Sequence, residues 1–317
     1  MGSKHKTEER IFKQVYDTDL FFNYEHKDKP DFWINTSLEY KFGVEITELF
    51  ENESSARLEK IDTYTEELLD SKKFRHKTDK KEIILDSIKI LDKKGNHILE
   101  TEAIVREIPC LNTYIDHLIN CVSKKSRKSL EYNSNLNYNN LIINDHINSL
   151  SLIDKNKLSE YLFTDKFKQC LLNCSFEEVF LITEIKNEKN YFPLKRILYL
   201  YHIYFFQNII NRLHKSGENL SEEYYYSFLK EFLEYNGFLN LKLKNKKDKF
   251  ELIYGMTGYH LFNNSVQLTL YEGINIDKFH ENHIQKKYIT KKVEKIIKEE
   301  KSKFSFSCGL GEKIEQK

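Results

Sequence analysis

Two carboxylates stand where a chain ordinarily places apolar side chains or simple turns. In GVEIT, residues 43–47, Glu45 sits between Val44 and Ile46; fourteen residues earlier, Asp31 follows Pro30 at the head of the apolar segment FWI. A carboxylate among apolar neighbours is costly to desolvate unless it is paired or bound to a cation. Two of them side by side repel one another unless positive charge lies between. Few ligands, all oxygen, suit Mg²⁺ or Mn²⁺, which keep waters and bind through one or two carboxylates plus substrate phosphate. Such a centre hydrolyses phosphodiesters by lowering the pKa of a bound water and neutralising charge on the phosphate.

For the two carboxylates to meet, their segments must be neighbouring antiparallel strands. Residues i and i+2 of a strand share a face, so Glu45 and Thr47 point one way while Val44 and Ile46 enter the core. Apolar residues at 11, 12, 15 and 16 predict a short amphipathic helix over 7–16, ended by the acidic run at 17–19. Strands are expected at 20–25, 31–35 and 41–49. A helix over 53–70, a lysine-rich stretch at 72–81 and a hairpin with arms 82–91 and 97–108 about DKKGN follow. From Leu111 one helical stripe carries Leu111, Ile115, Leu118 and Val122 and continues into Lys125 and Ser129, with Cys121, Lys128 and Tyr132 beside it. Residues 140–145 (NLIIND) read as a strand covered on both faces, and 177–185 as another.

Further on, the pattern predicts helices over 194–215 and 221–238, the second capped by Ser221 and closed near Gly237. Strands at 239–244, 249–255 and 265–271 are expected, then a solvated Lys/Glu-rich helix over 283–303. No internal repeat or long linker divides the chain, and a soft boundary near 190 separates residues 1–190 from an α+β region, 191–317, suited to substrate recognition or oligomerisation.

PD at 30–31 and the apolar-flanked Glu45 resemble the PD-(D/E)XK nuclease superfamily, the restriction-endonuclease-like fold. The resemblance covers roughly residues 5–145, with 51–107 as an insertion. It implies an α/β (α+β) core: a mixed sheet flanked by helices, with Asp31 opening the second strand and Glu45 on the third. Where the family carries its motif lysine, this chain has Thr47, so the charge that orients or activates water must come from elsewhere. Lys41 shares the strand face of Glu45; Lys125 and Lys128 lie on the following helix, where Lys128-Ser-Leu-Glu-Tyr132 resembles the family's QxxxY motif with Lys for Gln. Lys128 is preferred, then Lys125. The first helix of the family often adds a Glu, here Glu9, with Glu8 beside it. A second frame, Glu39-Tyr40-Lys41, matches the motif letters but falls where a turn belongs.

With 50 Lys and Arg against 49 Asp and Glu, the net charge of +1 gives no global attraction to nucleic acid or membrane, so any polyanion-binding surface is local. The 40% hydrophobic and 14% aromatic content is ample for a core. No apolar run of about 18 residues and no signal-peptide core occur, so a cytoplasmic protein with no membrane segment is expected. Five scattered cysteines, Cys110, Cys121, Cys170, Cys174 and Cys308, read as reduced thiols. Cys170/Cys174 and His280/His283 lack the second pair of a zinc site, and His202 reads as a core histidine. CGLGEK at 308–313 is no phosphate loop. Lysines at 72–81 and 241–248 suit either a phosphate backbone or a solvated face.

The expected protein is therefore a Mg²⁺- or Mn²⁺-dependent endonuclease acting on DNA sooner than RNA, with phage defence or restriction as the role the resemblance implies. Asp31, Glu45 and Glu9 would hold the metal, Lys128 or Lys125 would replace the lysine absent at Thr47, and a homo-oligomer or defence-system partner would complete it. The alternatives are a non-catalytic nucleic-acid-binding module that kept the fold, and an interaction protein acting through its aromatic C-terminal half.

Overall fold

The computed structural model describes residues 3–36, 40–132, 135–151, 153–154, 157–186, 188–217, 221–246, 249–262, 265–271, 274, 288–301 and 304–306 of the 317-residue chain. Helix α1 (Ser3–Val15) buries Ile11 and Phe12. Asp17 then caps a 3-10 turn over Thr18–Leu20, which takes up the residues expected to begin the first strand, so β1 spans only Asn23–His26. β2 (Phe32–Asn35) and β3 (Lys41–Leu49) run antiparallel, in register at Asn35↔Lys41 and Phe32↔Val44.

The expected helix over 53–70 is two, α2 (Glu53–Lys60) and α3 (Tyr64–Ser71). Thr63, at φ 70, lies in the left-handed region and breaks it. That turn folds Leu58, Tyr64 and Leu68 together against Ile83. A short α4 (Asp79–Glu82) leads into the hairpin β4 (Ile84–Leu91) and β5 (His97–Val105), a two-stranded ribbon of its own. Helix α5 (Leu111–Ser129) returns the chain to the main sheet as β6 (Tyr138–Asp145). Helices α6 (Leu158–Leu162) and α7 (Asp165–Asn173) add to the expected elements; Phe167 and Leu171 share the buried face of the latter, and Thr164 caps it by accepting from the Phe167 N–H at 3.3 Å.

β7 (Val179–Ile185) and β8 (Glu188–Pro193) complete the main sheet, β8 unforeseen because EKNYFP has little apolar alternation. Among the described residues that sheet is six-stranded in the order β1-β2-β3-β6-β7-β8, parallel at β3–β6 and β6–β7 and antiparallel elsewhere. The protein is a mixed α+β fold with helices on both faces. One face, with Phe42, Val44, Ile46 and Ile142, packs on α1; the other, with Leu49, Leu141, Ile143 and Leu181, packs beneath α5 and α7.

Residue 190 falls inside β8, and the second core continues without interruption into the rest of the chain. There α8 (Leu194–Lys215) and α9 (Glu222–Tyr235) lie against a four-stranded antiparallel sheet, β9 (Lys242–Lys246), β10 (Lys249–Tyr254), β11 (Thr257–Phe262) and β12 (Ser265–Leu270). β11 was missed in sequence; the segment TGYHLF pairs on both edges, which local pattern does not reveal. The last helix, α10 (Lys291–Lys301), is not solvated all round: Val293, Ile296 and Ile297 are buried, and Glu299 and Glu300 pair with Arg212 of α8 at 2.5 and 2.7 Å. Residues 283–287 of the expected helix lie outside the described residues. Among the described residues no helix is long and apolar enough to cross a membrane.

A buried ion pair holds the insertion together. The Asp79 carboxylate, with no exposure, accepts hydrogen bonds from Ser54 Oγ at 2.7 Å, Arg57 Nη2 at 2.5 Å, Tyr64 Oη at 2.5 Å and the His76 N–H at 3.1 Å. Burial would push its carboxyl up, but the bonds from Tyr64, Arg57 and Ser54 outweigh it and hold it at about 2. The folded value lies below that of free Asp, so its stabilisation is present above about pH 4 and is lost as pH falls toward about 2. Asp79→Ala leaves Tyr64 and the His76 N–H without their acceptor and Arg57 with only the exposed Glu53 as its carboxylate, and should cost about 3–5 kcal/mol of local stability. Hydrogen exchange should read this as lost protection in α2, α3 and α4, with α5 and β6 unchanged.

Candidate active site

The site forms where β2 parts from β3. Their pairing ends at Phe32↔Val44, and past that point the outward N–H of Ile46 has no strand to bond. Asp31, the residue before β2, fills the gap: its Oδ2 accepts from the Ile46 N–H at 2.7 Å. Gly43 lets the chain come this close, since a Cβ there would strike the Pro30 ring, Asn139 and Leu136. Glu45 points toward α5, and Lys125 Nζ meets its Oε1 at 2.5 Å while reaching the Ile46 carbonyl at 3.4 Å. Tyr132, just past α5, hydrogen-bonds Glu45 as well, and burial with the Glu45 charge raises its phenol well above the usual range.

These groups line a cleft of about 440 Å³. Asp31, Glu45 and Glu8 are each only 7% exposed. Glu8 enters from α1 and is held by His26 at 2.8 Å and Lys4 at 3.2 Å. Burial first, and the Glu45 charge second, push the Asp31 carboxyl up to about 7 against the opposing Ile46 hydrogen bond; Glu8 adds to the rise and Lys125 offsets part of it. Lys125 and Lys4 thus sit against the Glu45 and Glu8 carboxylates, while Asp31 is held by a neutral N–H.

Of the residues singled out in sequence, Asp31, Glu45, Thr47, Lys125 and Lys128 all line the cleft. Lys125, not the preferred Lys128, is the lysine on Glu45; it continues the buried stripe of Leu118 and Val122, whereas Lys128 is exposed at the cleft wall. Thr47 faces α5 and hydrogen-bonds the Cys121 thiol. Glu9 is absent from the cleft: it turns out to Lys13 at 2.8 Å and Tyr24 at 3.4 Å, and Glu8 takes the inward position. The helical phase set by Ile11 and Phe12, three and four residues on, was the signal for Glu8. Lys41 sits at the far end of β3, opposite Asn35. Glu48 and Lys60 line the cleft without having been anticipated.

Elsewhere, His202 is buried with Nδ1 2.9 Å from the Leu198 carbonyl, and burial lowers it to about 4, as a core histidine requires. Cys110, Cys121, Cys170 and Cys174 are free thiols. Glu39, His280, His283, Cys308 and the CGLGEK segment lie outside the described residues.

Among the described residues no three His, Cys, Asp or Glu side chains converge as a ready-made metal cluster. The donor set nonetheless fits Mg²⁺ or Mn²⁺, which need only one or two carboxylates and otherwise keep water. Asp31 and Glu45 are that pair, and the raised Asp31 carboxyl marks a place where added positive charge would be stabilising. No family model, no curated protein and no solved structure matches the chain.

Because the folded value of Asp31 is raised, the protein without metal has its full stability below about pH 4 and loses some as pH rises through about 7. Asp31→Asn keeps an oxygen for the Ile46 N–H and removes the charge. In EDTA at pH 8 it should melt above the parent, by up to about 4 kcal/mol for a carboxyl raised from 3.8 to about 7 at about 1.4 kcal/mol per pH unit, and the two should converge near pH 4. Melting curves across that range check this; a parent no less stable at pH 8 than Asp31→Asn would refute the electrostatic account.

Proposed function

We propose that this protein is a metal-dependent nuclease hydrolysing phosphodiester bonds, with DNA as the substrate implied by its resemblance to the PD-(D/E)XK nucleases. The observation that carries the reading is the convergence of Asp31, Glu45 and Lys125 at the parting of β2 and β3. The chain order of helix, three antiparallel strands, helix and parallel strand supports it further.

In this reading Asp31 and Glu45 hold Mg²⁺ or Mn²⁺, which when bound lowers the pKa of a water and neutralises phosphate charge. Lys125 stands in for the lysine absent at Thr47, orienting the attacking water or its conjugate base beside Glu45. Tyr132 also holds the Glu45 carboxylate, and Glu8 adds negative charge at the α1 wall. Membership of a phage-defence or restriction system, and a partner or second copy within it, belong to the same proposal through the resemblance alone.

Supercoiled plasmid incubated with Mg²⁺ or Mn²⁺ should be nicked or linearised by the parent and by Lys128→Ala. Cleavage should vanish in Asp31→Ala and Glu45→Ala and fall about 100-fold or more in Lys125→Ala, the scale of a lost proton-transfer or water-orienting group. Cleavage unaffected by either carboxylate substitution would refute the site. One observation favours a second reading, a binding module without chemistry: Lys125 already satisfies Glu45. Binding of the same DNA without any cutting in either metal would select it. As a direct test of the metal, Mg²⁺ should raise the melting temperature of the parent at pH 8 and leave that of Asp31→Asn unchanged.

A further inference from the structure

The insertion contributes a group to the cleft that the nuclease core lacks. Lys60, the last residue of α2, lines it, and its side chain is 53% exposed. A lysine so open to water ordinarily wanders, but this one is held. Its Nζ lies 2.8 Å from Glu48 Oε2 and 5.0 Å above the centre of the Phe50 ring. Glu48 is itself held through its other oxygen, 3.2 Å from His146 Nε2, and that imidazole stacks on the opposite partner, Phe50, with ring centroids 4.4 Å apart. Both oxygens of Glu48 are therefore engaged, and the carboxylate fixes Lys60 in place.

The helix that carries Lys60 is anchored too. Arg57, one turn earlier, is clamped by Asp79. The lysine is thus supported from two directions, by the insertion's own buried ion pair and by the end of β3. Across the cleft, ammonium groups arrive from separate elements: Lys4 from α1, Lys29 from the turn before β2, Lys125 and Lys128 from α5. Carboxylates form the floor, and the cations stand around it on several sides. A lone phosphate monoester needs one such group; a strand crossing the cleft presents further phosphates on both sides of the bond to be cut, for which several ammonium groups are available.

We infer that Lys60, delivered by the insertion and aimed by Glu48 and His146, binds a backbone phosphate flanking the scissile one in a polynucleotide strand. This rests on the nuclease reading only for the class of ligand. Its test is binding without metal, so that cutting plays no part. A fluorescein-labelled single-stranded 20-mer deoxyoligonucleotide is titrated with full-length protein in EDTA over a range of salt, using the parent, Lys60→Ala, Lys60→Arg and, as an exposed lysine far along the chain, Lys215→Ala.

Lys60→Ala should weaken binding about 3- to 10-fold at low salt and reduce the slope of log K against log[salt] by about 0.7, the value for one phosphate contact on a single strand. Lys60→Arg should restore the slope, and Lys215→Ala should leave it alone, with all melting temperatures alike. An unchanged slope in Lys60→Ala, an equal loss in Lys215→Ala, or no binding by the parent would each overturn the inference. If Lys60-dependent binding is found but Mg²⁺ gives no cleavage, the nuclease reading fails and this one stands; cleavage indifferent to Lys60 has the opposite meaning.

Discussion

A single hydrogen bond, from the Ile46 N–H to the Asp31 carboxylate, reconciles two demands on the sheet. β2 must leave β3 to open a cleft, yet a buried N–H left bare would cost about 1–3 kcal/mol. Asp31 satisfies the donor and, by doing so, is drawn beneath the surface beside Glu45. The acid that lines the cleft is therefore the same group that repairs the sheet edge. Gly43, which makes room for Pro30, is the covalent condition for that approach.

Charge in the cleft follows from this geometry. Two carboxylates are buried together because strand pairing places them so, and their repulsion is answered partly by Lys125, whose stem continues the apolar stripe of α5 before its ammonium turns to Glu45. The remaining imbalance is borne by Asp31, whose carboxyl is raised. Glu48, on β3, shows the opposite outcome to Asp31. There the hydrogen bond from His146 prevails over burial, Lys60 reinforces it, and the carboxyl is lowered to about 2. Two acids of one cleft, Asp31 ahead of β2 and Glu48 on β3, are thus shifted in opposite directions by their partners.

The frame that keeps the strands in place reaches well beyond the cleft. Asn140 of β6 donates to the Tyr16 hydroxyl at 2.8 Å and accepts from the Glu178 N–H at 3.0 Å, joining α1 to the start of β7. Glu178 in turn accepts from the Lys195 and Arg196 N–H groups at 2.8 and 3.1 Å, and so caps α8, where Pro193 offers no side-chain acceptor. Tyr199 of α8 then donates to the Leu252 carbonyl of β10 at 2.8 Å. The main sheet and the C-terminal region are consequently linked by polar contacts as well as by a shared apolar core.

Contiguous residues determined much of this protein. The strands holding Asp31 and Glu45, the stripe of α5, the covered strand β6, the hairpin and α8 all follow from periodicity and burial preference, which are properties of neighbours in sequence. The unusual placement of two carboxylates was legible for the same reason. Tertiary structure decided which of Glu8 and Glu9, and which of Lys125 and Lys128, enters the cleft, because that depends on helix phase and on how far a flexible side chain reaches over a particular sheet edge. It also decided that Lys60, Glu48 and His146 act together: they come from an inserted helix and the ends of two parallel strands, separated by up to 98 positions in the chain. No spacing rule links residues that far apart; only the packing of α2 beside the ends of β3 and β6 does.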